Sequence, residues 1–161
     1  MKRIYYLIIS LIVFINFSGC SGYKPIYNTS NFNFTIEDYS IDGNKKISNQ
    51  IYLHLNNIVK SNKNNKNSKK ISISIDSNKS RSATAKSSTG KIIEYRINLK
   101  SDIIILDFPT GKTILNHSFN LFSSYKAQDR YSETIKLENK NLEDLINKLN
   151  RDLLIKISDN I

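Results

Sequence analysis

Ile93-Glu94-Tyr95-Arg96-Ile97-Asn98-Leu99-Lys100 alternates apolar and polar side chains without a break. Successive residues of a strand point to opposite faces. Ile93, Tyr95, Ile97 and Leu99 therefore share one face, and Glu94, Arg96, Asn98 and Lys100 the other. One covered face and one polar face is the pattern of antiparallel pairing. Beyond Ser101 the pattern becomes continuously apolar at Ile103-Ile104-Ile105-Leu106, which predicts cover on both faces there. The whole strand is placed at Lys91 to Asp107. Asp107-Phe108-Pro109-Thr110-Gly111-Lys112 carries the Pro and Gly of a hairpin turn. A partner strand follows from Thr113 to Tyr125, with Leu115, His117, Phe119, Leu121 and Tyr125 on one face.

Outward from this hairpin, Ile71-Ser72-Ile73-Ser74-Ile75-Asp76 alternates in the same way and is a further strand. The Ser/Thr/Lys-rich stretch from Ser77 to Gly90 is compatible with either a loop or a strand end. Phe32-Asn33-Phe34-Thr35-Ile36 opens the first strand, placed at Phe32 to Ile41, and Asp42-Gly43-Asn44 breaks it. Ile47, Ile51, Leu55 and Ile58 then recur at helical spacing, so a helix is expected over Lys45 to Lys60. Ser61 to Lys70 is polar, low in complexity and loop-like. Near the end, Leu142, Leu145, Ile146, Leu149, Leu153 and Ile157 mark a long amphipathic helix, with Ala127 to Glu138 ambiguous before it. The order is β-α-β-β-β-α. An α+β fold follows, in which two helices bury their stripes on one face of a four-stranded, mostly antiparallel sheet.

The start of the chain has a different character. Lys2 and Arg3 precede an uncharged run from Ile4 to Phe17, too short for the roughly 20 residues of a spanning helix. A basic start, a short apolar run and small residues is the layout of a secretory signal. Phe17-Ser18-Gly19-Cys20 resembles the bacterial lipobox, with Phe17 where Leu is usual. That resemblance implies cleavage before Cys20 and lipid attachment to its thiol. Cys20 is the only cysteine among 161 residues, so no internal disulfide framework exists. Ser21 follows it, rather than the Asp that retains such lipoproteins at the inner membrane; this resembles the outer-membrane case. The expected organisation is a signal peptide at 1–19, a lipidated tether at 20–31 and a single α+β domain at 32–161, leaving 142 residues after cleavage.

The formal net charge of +10 falls to +8 without Lys2 and Arg3. Anionic lipid or polyanionic glycolipid is a suitable partner for such a chain, and export argues against nucleic acid. Part of the charge is compositional, because Ile, Lys and Asn dominate while Arg is scarce, as in the products of A+T-rich genomes. Clustering is therefore the better guide. Between Arg81 and Lys100 the basic residues are Arg81, Lys86, Lys91, Arg96 and Lys100, against the single acid Glu94. These five are the candidate phosphate-binding residues, with a solvated strand face as the competing reading.

Catalytic chemistry is not legible. The two histidines, His54 and His117, stand without carboxylate or cysteine at ligand spacing, so no metal or other cofactor is expected beyond the covalent lipid on Cys20. No Ser lies in a nucleophile elbow. Gly111-Lys112-Thr113 lacks the upstream Gly of a phosphate-binding loop, with Leu106 in that place. Glu37-Asp38 and Glu143-Asp144 are adjacent pairs that cannot converge on one substrate atom. The expectation is a protein that is not an enzyme and has no catalytic residues.

Three stretches together resemble the lipopolysaccharide-assembly lipoprotein (LptE-type) family, in its alpha-proteobacterial form. They are Gly19-Cys20-Ser21-Gly22-Tyr23-Lys24-Pro25-Ile26-Tyr27, with Ser21 as an apparent insertion; Tyr95-Arg96-Ile97-Asn98-Leu99 through Thr110-Gly111-Lys112-Thr113-Ile114-Leu115; and Ser123-Ser124-Tyr125-Lys126-Ala127-Gln128-Asp129-Arg130-Tyr131-Ser132. The resemblance implies an outer-membrane lipoprotein held on the periplasmic side. It would plug an LptD-like β-barrel, assist that barrel's assembly and bind lipopolysaccharide for delivery to the outer leaflet. A lipid-anchored periplasmic module for another anionic envelope component is the alternative, separated by whether a barrel is required.

Overall fold

A computed structural model of the chain describes residues 34–61 and 68–160. The expected signal peptide, Cys20, the tether at 20–31 and the first two residues of the first strand lie outside them. The elements are β1 (Phe34–Gly43), α1 (Lys45–Ser61), β2 (Lys69–Lys86), β3 (Ile92–Asp107), β4 (Thr113–Lys126) and α2 (Tyr131–Asn160). The sheet order is β1-β2-β3-β4. β1 and β2 are parallel, joined by the α1 crossover that parallel strands require, and the other two pairs are antiparallel. The result is the mostly antiparallel α+β arrangement read from the sequence.

Both helices lie on one side of the sheet and share one core with it. Ile51 and Leu55 of α1 and Leu149, Leu153 and Ile157 of α2 meet Ile71, Ile73 and Ile75 of β2 and Ile97, Leu99, Ile103 and Ile105 of β3, all essentially inaccessible. Each such side chain contributes about 2 kcal/mol by leaving water. The expectation of cover on both faces at Ile103 to Leu106 is corrected. Ile104 remains 39% exposed and Leu106 half-buried, because they alternate onto the face that no element among the described residues covers.

The turn from β1 into α1 depends on Gly43. Its φ of +67° is left-handed, and a Cβ there would overlap the side chain of Asp76 and the backbone oxygen of Ser77. Asn44 then donates its N–H to the Ser77 carbonyl at 2.6 Å. Its side chain caps the helix by accepting the Ile47 N–H at 3.3 Å.

β1 ends opposite Ser77 while β2 continues to Lys86 against β3. The Ser77 to Gly90 stretch is therefore mainly strand, closed by a turn in which Ser87 N–H bonds the Lys91 carbonyl at 2.8 Å. At about 3.3 Å per residue, β2 runs ~60 Å from the end where Phe34 enters the sheet to this distal turn. Beyond β1 the sheet has three strands among the described residues.

Candidate functional site

The register separates the five candidate cations. Arg81 pairs with Ile97 and Lys79 with Leu99, which puts both on the helix-covered face. There they meet Glu138 of α2, which is 6% exposed. Lys79 Nζ donates to Glu138 Oε1 at 2.6 Å and Arg81 Nη1 to Oε2 at 2.7 Å. The Tyr125 hydroxyl donates to Oε2 at 2.9 Å. The Arg81 guanidinium also lies 4.6 Å over the Tyr95 ring, which stacks on Tyr125.

Burial alone would raise the Glu138 pKa, but the hydrogen bonds from Lys79, Arg81 and Tyr125 outweigh it and hold the carboxyl at about 2. Burial, and then the hydrogen bond to Glu138, push the Tyr125 hydroxyl up to about 12. The hydrogen bond to Glu138 raises the Arg81 guanidinium further above its ordinary value. Arg81 is thus engaged within the protein, fastening α2 to the distal sheet. Lys79 and Glu138 were missing from the sequence-level candidates. A signal for Glu138 existed, since 138, 142, 145 and 149 continue the helical stripe.

Lys86 and Lys91 flank the distal turn, both exposed. Lys91 lies 3.4 Å from Asp129, with both side chains well exposed. Arg96 and Lys100 project from the uncovered face. The Arg96 guanidinium sits 5.1 Å over Phe122, and its Nε donates to Ser124 Oγ at 3.5 Å. Lys100 Nζ is 3.1 Å from Asp102. A hydrogen bond from Ser118, and then Lys100, hold the Asp102 carboxyl below its usual range.

The structure therefore brings Lys86, Lys91 and Arg96 to the distal half, leaves Lys100 farther along the uncovered face and turns Arg81 inward. Lys126, paired with Glu94 in register, joins the distal group. Phe122, 66% exposed, stands beside Arg96 on the uncovered face, while Ile93 at 46% and Tyr131 at 68% are exposed on the helix side of the same end. Chemically the Arg96–Phe122 pair offers an amphipathic anion a charged and an apolar contact side by side, with Lys86, Lys91 and Lys126 at the same end.

The remaining features are plainer. His54 lines a groove of about 410 Å³ between the helices with Lys46, Gln50, Asn139 and Glu143. His117 sits edge-on to Phe119 at 4.7 Å. Among the described residues no group of three or more His, Cys, Asp or Glu is placed to hold a metal ion, and no helix is long and apolar enough to cross a membrane. Gly111 occupies a tight turn, with φ +68° and its N–H on the Asp107 carbonyl at 2.8 Å, rather than a phosphate loop.

No family model matches the chain, and no curated protein matches it. Solved structures do. A protein of Caulobacter crescentus classed as a lipoprotein aligns over 81% of this chain and 93% of its own, at 11% identity and a TM-score of 0.57. Rare lipoprotein B of Shewanella oneidensis aligns over 76% and 95%, at 14% identity and a TM-score of 0.53. A minor lipoprotein of Acinetobacter baumannii aligns over 79% and 94%, at 15% identity and a TM-score of 0.53. The fold of this chain is one that small bacterial lipoproteins possess.

Proposed function

We propose that this chain is a lipid-anchored outer-membrane protein on the periplasmic side. It partners and plugs an LptD-like β-barrel, assists that barrel's assembly, and binds lipopolysaccharide during delivery to the outer leaflet. The role is non-enzymatic. The observation that carries it is the distal end of the sheet, where Lys86, Lys91, Arg96 and Lys126 gather, with exposed Phe122 beside Arg96 and exposed Ile93 and Tyr131 on the helix side. A phosphorylated glycolipid offers phosphates to the cations and acyl chains to the apolar side chains. The lipobox-like Cys20 and the fold shared with solved lipoproteins supply the anchoring half of the reading. Acyl chains contribute about 0.8 kcal/mol per buried methylene, so multiple chains hold a protein of this size firmly.

Depletion of the chain from living cells tests the proposal. The expected result is loss of folded barrel and of glycolipid at the cell surface together; unchanged levels of both would overturn it. The anchor is tested separately by Cys20→Ala, which should leave unlipidated precursor by mass spectrometry. A normally processed wild-type chain with an unmodified Cys20 would remove that part.

A further inference from the structure

The length of chain before the sheet limits which end of the domain can face a membrane. Cys20 stands 14 residues before Phe34, and Phe34 enters the sheet beside Lys69. Fully extended, 14 residues span about 50 Å. From this entry end β2 runs ~60 Å to the distal turn. A domain standing on its distal turn would lift Phe34 beyond the reach of a lipid held in the leaflet below. Of the two ends of the sheet, the entry end is the one that can meet that leaflet with the strands upright.

The tip of the entry end is apolar. The turn between β3 and β4 presents Phe108, 48% exposed, followed by Pro109. Behind it on the uncovered face come half-buried Leu106 and exposed Ile104. The turn also satisfies most of its own backbone, as a segment entering an apolar medium must. Phe108 donates its N–H to the Lys70 carbonyl at 2.9 Å, and Asp107 and Gly111 donate to the carbonyls of Lys112 and Asp107, both at 2.8 Å. The Lys112 N–H reaches the Thr110 hydroxyl at 3.3 Å, and Pro109 has no N–H. Charges at this end are mixed: Lys69, Lys70, Lys112 and Lys156 stand with Glu37, Asp107 and Asp159, and Lys70 is paired with Glu37 at 3.3 Å. Net attraction to an anionic surface is therefore small, and the aromatic tip is the leading contact.

We infer that Phe108 and its turn insert into the headgroup region of the phospholipid leaflet that holds the Cys20 lipid. Apolar groups in that interface sit about 5–10 Å deep. That depth takes in Phe108 and Leu106 and leaves Ile104, ~13 Å back along the strand, at the surface. Lys69 and Lys112 border one cavity beside the turn with Asp107 and Asn160. Their stems lie along the turn while their ammonium groups stay at the level of the phosphates. The contact gives the anchored domain a fixed attitude, with Lys86, Lys91, Arg96 and Lys126 held away from the leaflet. The inference rests on the lipid anchor proposed above and is independent of the barrel partnership.

The chain contains no tryptophan, so a single introduced indole reports its own surroundings. Phe108→Trp, Ile104→Trp and Phe122→Trp are made separately in the full lipidated chain, with the lipid on Cys20 confirmed by mass spectrometry. Each is reconstituted in phosphatidylethanolamine vesicles carrying a doxyl-labelled phosphatidylcholine as quencher, with and without phosphatidylglycerol. The expected quenching is at least three-fold stronger for Phe108→Trp than for Phe122→Trp, with Ile104→Trp between them, and equal in the two lipid mixtures. Adding Phe108→Asp to the Ile104→Trp chain should abolish its quenching at unchanged melting temperature. No quenching of Phe108→Trp, or quenching equal at all three positions or strongest for Phe122→Trp, overturns this inference and leaves the anchor standing. Quenching that appears only with phosphatidylglycerol assigns the contact to the lysines and overturns the apolar insertion. An unmodified Cys20 overturns the proposed anchor and the inference with it.

Discussion

Replacing Glu138 by Gln keeps the shape of the side chain and removes its charge, leaving Lys79 and Arg81 facing a neutral amide. The magnitude follows from the carboxyl's pKa, held at about 2 against an ordinary 4.5. A unit of pKa is worth about 1.36 kcal/mol, so the ionised form stabilises the fold by ~3 kcal/mol at neutral pH. That lies within the ~3–5 kcal/mol typical for breaking a buried ion pair, and for a domain of this size it lowers the melting temperature by about 10 °C. The sign with pH is set by a depressed folded pKa. The contribution is fully present above the unfolded value of 4.5 and is lost as pH falls toward about 2. Urea unfolding of the signal-less chain and its Glu138→Gln variant, at a series of pH values, reads this directly. The two curves should be separated by ~3 kcal/mol at pH 7 and should converge below the unfolded pKa. A gap under about 0.5 kcal/mol, the size expected of an exposed pair, or a gap that stays constant with pH, would show that Glu138 does not stabilise the fold through its charge.

Other consequences follow from single residues. Gly43→Ala should cost more than about 2 kcal/mol in the same assay, since it adds a collision with Asp76 and Ser77 to a left-handed backbone. Gly90→Ala and Gly111→Ala, where a Cβ meets nothing, should cost only ~1 kcal/mol each. Asn150 is wholly buried with neither amide atom hydrogen-bonded, so Asn150→Leu should stabilise the fold by about 1–3 kcal/mol, visible as a higher melting temperature. Arg96→Glu with Lys126→Glu should weaken binding to phosphorylated glycolipid at least ten-fold while leaving the circular dichroism unchanged; unchanged affinity in the folded double variant removes Arg96 and Lys126 from the site.

The legible parts of the fold were those where burial and periodicity coincide. Ile47, Ile51, Leu55 and Ile58 set α1 to within a residue of its observed end. Ile71, Ile73 and Ile75 marked β2 only as far as Asp76, because beyond it the residues facing the helices are Ser77, Lys79 and Arg81. Pairing with β3 makes that segment a strand, and a partner strand leaves no local signal. The start of α2 was obscured for a related reason. Its buried positions there are Thr134 and Glu138, so the stripe continues in polar residues. The parallel pairing of β1 with β2 comes from the α1 crossover between them, which alternation within β1 does not encode. The same loss of parity affected the site. With the path of residues 77–90 open, Arg81 could be grouped with Lys86 and Lys91, although the register places it on the other face against Glu138.

Partnership with an outer-membrane barrel is tested by affinity purification of the tagged, lipidated chain from detergent-solubilised outer membranes, with bound proteins quantified by mass spectrometry. One large β-barrel protein is expected in near-equimolar amount, recovered together with phosphorylated glycolipid. Recovery of the lipidated chain without a barrel would contradict it and would leave a lipid-anchored module that serves another anionic component of the envelope.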